Sequence, residues 1–185
     1  LPDYPTAQIG SHHQSQIAMH ARSRAALHVS GLPEAQSSIA DRERRERLGL
    51  SGEFVIATKI GQIMEFVNFD GDSGDGGVDL WNDNVSIDVK TEGPRRSGSP
   101  VRAYPAGYRA KVITFVRQST ADRFGEFEIL GWLFAHELQR MASGNEHVDV
   151  CLCHLRPIDS LPPHGHYDVP DPDLEEHCPE CGRLI

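Results

Sequence analysis

The stretch from Gly77 to Glu92, GVDLWNDNVSIDVKTE, constrains the fold more than any other part of the chain. Asp83 and Asn84 both tolerate the positive φ of a two-residue type I′ turn, so they are read as the tip of a β-hairpin. Asn82 then opposes Val85, and counting back sets Asp79 opposite Asp88. Side chains directly opposed in a hairpin share a face, with Cβ atoms about 4.5–5.5 Å apart. Val78, Leu80, Ile87 and Val89 fall on the other face and read as core. Slipping the register by one residue would send Asp79 and Asp88 to opposite faces. The apolar pattern and the turn chemistry therefore both select a pairing that holds two carboxylates together. Lys90, two residues beyond Asp88, shares their face.

Like charges set opposite each other destabilise a sheet, and a divalent cation removes the repulsion. Two aspartates offer hard oxygen ligands suited to Mg²⁺ (or Mn²⁺), which keeps several waters. Such a cation activates water and neutralises charge on a phosphoryl oxygen. Lys90 would hold the attacking water or stabilise the anionic transition state. These are the parts of a phosphodiester-cleaving site.

The elements around the hairpin read as an α/β sandwich with a mixed central sheet. Residues 1–37, rich in Pro, Ser, Gln and His, read as an N-terminal arm with a short helix around Gln16–His28. Ser38 is the N-cap of a helix running to about Gly61, with Leu50, Phe54 and Ala57 recurring on one face and Glu53 at its border. Gly49 and Gly52 weaken that helix. QIMEFVNFDG reads as a strand, and GPRRSGSPVRAYPAG as a loop. The near-continuous apolar run AKVITFVRQ reads as a strand buried on both faces. FEILGWLF follows as a strand, AHELQRMASG as a helix stopped at Gly144, and EHVDVCLCHL as the last strand. The core is read as residues 38–158, and residues 159–185 as a Pro-rich acidic tail.

Glu53, Asp79, Asp88 and Lys90, in "GLSGEFVIA", "GGVDLW" and "SIDVKTE", resemble the motif of the PD-(D/E)xK nuclease superfamily. "KVITFVRQ", "EILGWLF" and "HELQRM" resemble its later core strands and helix. The resemblance implies a restriction-endonuclease-like fold and a Mg²⁺-dependent nuclease acting on DNA. It implies that Asp79, Asp88 and the Val89 carbonyl ligate the metal, that Lys90 positions water, and that Glu53 contributes at the edge. Glu65 and Asp75 compete for the part of Glu53. Val78 stands where the family carries proline. Inactive members exist, so a non-catalytic module binding nucleic acid or a protein partner is the alternative, and a homodimer or larger assembly suits either reading.

The net charge of −9 argues against a general nucleic-acid-coating protein. The distribution differs from the total: Gly93 to Ala121 holds six basic residues (Arg95, Arg96, Arg102, Arg109, Lys111, Arg117) and no acid. Arg95, Arg96 and Arg102 are read as backbone clamps for DNA.

Cys178-Pro-Glu-Cys181 followed by Gly182 resembles a zinc knuckle, which supplies two thiolates and needs two further ligands. Cys151 and Cys153, alternating on the last strand, are the natural pair, with His164 and His166 as competitors and His154 and His177 in range. Structural Zn²⁺ would clip the tail to the core. The cysteine clustering, the lack of an apolar leader and the lack of a bilayer-length apolar run lead to an expected intracellular, cytoplasmic protein with no membrane partner.

Overall fold

The computed structural model describes residues 4–27, 38–64, 78–96, 98–104, 109–120 and 124–161. Among them is a five-stranded mixed sheet. Its strands are β1 (Thr6–Gln8), β2 (Leu80–Asn82), β3 (Val85–Glu92), β5 (Val112–Gln118) and β6 (Glu126–Phe134), in the order β1-β6-β5-β3-β2. Only β3 and β5 run parallel; the other neighbours are antiparallel. β4 (Val101–Ala103) and β7 (Val148–Val150) form a separate two-stranded sheet. The helices are α1 (Ser11–Leu27), α2 (Ile39–Lys59) and α3 (Ala135–Ala142).

Two cores follow from the strand alternation. Val85, Ile87 and Val89 of β3 and Val112 and Val116 of β5 pack beneath α1 and α2. Ile113 and Phe115 of β5 pack on the opposite face, against β4, α3 and β7. All seven residues of β5 are buried, as expected of a strand covered on both faces. The architecture is a mixed α/β sandwich.

Several elements differ from the sequence reading. Residues 6–27, expected as part of an arm, are built into the core: β1 extends the sheet along β6, and Ile17, Ala21 and Ala25 of α1 are buried. The loop expected over 93–107 contains β4, whose Val101 and Ala103 are buried while Arg102 is exposed. The last strand is shorter than expected. It ends at Val150, and Leu152–His154 form a 3₁₀ turn instead. Of the strand expected over 62–71, residues 62–64 lie in no strand, and the rest lie outside the described residues. No described helix is long and apolar enough to cross a membrane.

Ser38 caps α2 as expected, its hydroxyl accepting from the Asp41 N–H at 3.1 Å. Gly52 does more than weaken this helix. A Cβ there would overlap the Thr91 hydroxyl of β3, so glycine allows α2 to lie close on the strand that carries Asp88 and Lys90. We expect Gly52→Val to cost about 2–3 kcal/mol of overpacking, a loss of roughly 4–12 °C in Tm for a chain of this size. Thr91→Ala would leave only its Cβ, at 3.0 Å, against the added Cβ. Thermal melts should therefore show partial rescue in the double variant. An unchanged Tm in Gly52→Val would rule out this close approach.

Candidate active site

The hairpin register is the one the turn chemistry selects. Asn82 pairs with Val85, Trp81 with Ser86 and Leu80 with Ile87. Only Asp83 of the two turn residues takes positive φ, at 51°, so the turn is not the type I′ form. Beyond Leu80 the ladder changes. The Asp79 N–H donates to the Ile87 carbonyl at 2.9 Å, one step off the register set by Leu80 and Ile87. Two successive residues thus face one partner, as at a β-bulge, and the chain leaves the ladder at Asp79.

That departure removes a strand partner from β3 at Val89, and the Asp79 side chain replaces it. The Val89 N–H donates to Asp79 Oδ2 at 2.6 Å. The Asp79 carboxyl is thereby drawn into the gap between the diverging strands. The charges of Glu53, from α2, and of Asp88 bear on it there. The two aspartates lie close at a fork in the sheet and do not form the cross-strand pair expected from the hairpin register.

The electrostatics follow from this crowding. Burial, then the negative charge of Glu53, then Asp88 push the Asp79 carboxyl up to about 9, against the lowering effect of the Val89 N–H. Near neutral pH, Asp79 therefore carries a proton in the absence of metal. Asp88 is 3% exposed, and Lys90 Nζ lies 2.9 Å from its Oδ1 and 2.8 Å from its Oδ2. Oδ2 has that ammonium beside it but no well-directed hydrogen bond.

These residues fit a hard divalent cation. A cation would take the place of the Asp79 proton and use the Asp88 oxygen that no hydrogen bond directs. Among the described residues no three His, Cys, Asp or Glu side chains converge as a ready cage. Two carboxylates with water completing the shell is a common way to hold Mg²⁺. When bound, the cation supplies water activation and charge neutralisation. Lys90 is half-exposed, so its ammonium sits beside Asp88 and also meets solvent.

α1 contributes a residue that sequence reasoning did not single out. Arg24 Nη1 lies 4.0 Å from Glu53 Oε1 and 3.9 Å from Glu46 Oε2, so the N-terminal helix sets a cation behind the outermost carboxylate of the site. The only signal for it was a helical segment of weak apolar character. Trp81, exposed on β2, was also passed over, although alternation with Leu80 put it on the opposite side from the core.

The basic run divides. Arg117 is 1% exposed and tied inward, Nε to Glu92 Oε1 at 2.5 Å and Nη2 to the Ser99 carbonyl at 2.8 Å. It braces the segment after β3 and is not part of a basic surface. Arg95 Nε lies 3.4 Å from Glu92 Oε2, and Arg102 pairs with Asp149 at 3.1 Å. Arg96, Arg109 and Lys111 are exposed.

Cys151 and Cys153 do not alternate on a strand, because β7 has ended before them. The 3₁₀ turn nonetheless brings their sulfurs to 2.7 Å. Cys178, Cys181, His164 and His166, like Glu65 and Asp75, lie outside the described residues. No family model, curated protein or solved structure matches this chain.

Proposed function

We propose that this chain is a Mg²⁺-dependent nuclease that hydrolyses DNA phosphodiester bonds, of the PD-(D/E)xK type and restriction-endonuclease-like fold. The observation that carries the reading is the Asp79–Asp88 carboxyl pair in the fork between β2 and β3, with Lys90 Nζ 2.8 Å from Asp88. A merely structural sheet has no need of two crowded carboxyls with an ammonium alongside, since opposed like charges weaken strand pairing. Asp79 and Asp88 would hold the cation. Lys90 would position water against the phosphorus and offset the developing negative charge. Glu53, steadied by Arg24, would border the site. Arg95, Arg96 and Arg102 would meet the DNA backbone, and for Arg95 and Arg102 this means exchanging an acidic partner for phosphate.

The test is cleavage of supercoiled, linear, single-stranded and branched DNA by the purified chain, with Mg²⁺, with Mn²⁺ and without metal. Metal-dependent cutting lost in Asp88 and Lys90 variants is the expected result. A folded protein that cuts none of these would point to a non-catalytic module binding nucleic acid or a protein.

The close Cys151 and Cys153 sulfurs support a second metal in a structural role, a thiolate-bound Zn²⁺ completed from the C-terminal knuckle. We expect about one zinc per purified chain. Elemental analysis should find it lost in both Cys151→Ser/Cys153→Ser and Cys178→Ser/Cys181→Ser. Zinc retained in either double variant would dismiss the shared site.

A further inference from the structure

β2 is an outer strand of the sheet, and its middle residue, Trp81, is 57% exposed. Register places Trp81 opposite Ser86, and Ser86 lies two residues before Asp88 on the same face of β3. The indole is therefore a diagonal neighbour of the Asp88 carboxylate, at the roughly 7–8 Å between backbones that long side chains span. Ser86 is small and buried, so no bulky side chain stands between the two on that face. The backbone beneath the indole is fixed, because the Gln62 side-chain amide donates to the Trp81 carbonyl.

Two lysines border this face. The Lys111 N–H donates to both the Ser86 carbonyl, at 3.1 Å, and its hydroxyl, at 3.0 Å. Lys111 thus approaches Ser86 from the side away from Trp81, and Lys111 and Arg109 are exposed. Lys90 is half-exposed on the same face. A flat aromatic surface, a gap over a serine, and ammonium groups beside a carboxylate pair match one nucleotide: a base for the ring and phosphates for the cations.

We propose that Trp81 is a stacking platform for an unpaired base of single-stranded DNA, seating the strand so that a neighbouring phosphate meets Asp88 and Lys90. The proposal rests on the nuclease reading and narrows its substrate to DNA that is single-stranded at the point of cleavage. A base within duplex has both faces covered by its neighbours and is not available to the indole.

Tryptophan fluorescence tests this directly. The chain has two tryptophans, and Trp132 is 3% exposed, its Nε1 donating to the Pro157 carbonyl at 3.1 Å. Quenching by a short phosphorothioate oligo(dT) in Mg²⁺ would thus report Trp81. Anisotropy of the same labelled oligonucleotide would give affinity for wild type, Trp81→Ala and Trp81→Phe. Loss of one stacked base should weaken Trp81→Ala by about 5- to 150-fold, whereas Trp81→Phe keeps most of the affinity. Blunt duplex should bind with little dependence on residue 81. Equal affinity of wild type and Trp81→Ala, or no quenching on binding, would overturn the proposal and leave the indole to a protein partner. Cleavage by the same preparations is scored separately: a Trp81→Ala enzyme that cuts single strands as well as wild type refutes the platform but keeps the nuclease. Trp81-dependent binding without any cutting refutes the nuclease but keeps the platform.

Discussion

Asp88→Asn and Lys90→Ala should each reduce Mg²⁺-dependent DNA cleavage by on the order of 10²–10⁴-fold, and for different reasons. Asp88→Asn removes a proposed hard anionic ligand while keeping its shape. Metal affinity should fall with activity, and high Mg²⁺ should recover part of the rate. Lys90→Ala leaves both carboxylates in place and removes the group proposed to offset charge in the transition state. Its kcat should fall at saturating metal, with metal affinity unchanged or improved, because a competing cation beside Asp88 has gone. Neither loss should come from unfolding. The Lys90 side chain is 42% exposed, and a pair with one partner so exposed contributes about 1 kcal/mol or less. Circular dichroism and melts would confirm intact folds. Variants that cut as well as wild type would place the activity elsewhere, whatever the wild-type rate.

Much of this site was legible because its signals are local. A two-residue turn and period-2 alternation fix the hairpin register within fifteen or so residues, and no distant contact is needed to set it. The all-buried β5 was equally plain from its apolar run. The bulge at Asp79 was not, because a side chain replacing a ladder partner depends on where β2 diverges. β4 was hidden for a related reason. It has three residues in a Gly-, Pro- and Ser-rich stretch, and its partner β7 lies far along the chain. α1 does carry an i, i+4, i+8 stripe at Ile17, Ala21 and Ala25, but two of its three members are alanines. Small side chains give little hydrophobic signal while allowing the close helix packing that brings Arg24 to Glu53.

The carboxyl pair also predicts how stability depends on pH. In the unfolded chain Asp79 releases its proton near 3.8, and in the folded chain only near 9. Between those values the folded state binds more protons, so stability is fully present below the lower value and falls as pH rises, levelling off above the upper one. The slope is at most about 1.4 kcal/mol per pH unit. Asp79→Asn cannot ionise, so it should melt above wild type at pH 8 in buffer without added divalent metal, the gap closing toward pH 4. Omitting metal without adding a chelator would leave the proposed thiolate-bound zinc in place. Mg²⁺ should reverse the order by raising the Tm of wild type and hardly that of the variant, since ligand binding to the folded state alone stabilises it. Below about pH 9 each bound Mg²⁺ must displace the Asp79 proton, so apparent affinity should rise up to about tenfold per pH unit. A pH-independent gap between the two proteins, or equal stabilisation of both by Mg²⁺, would mean that Asp79 does not hold a proton near neutral pH and that a cation does not replace it.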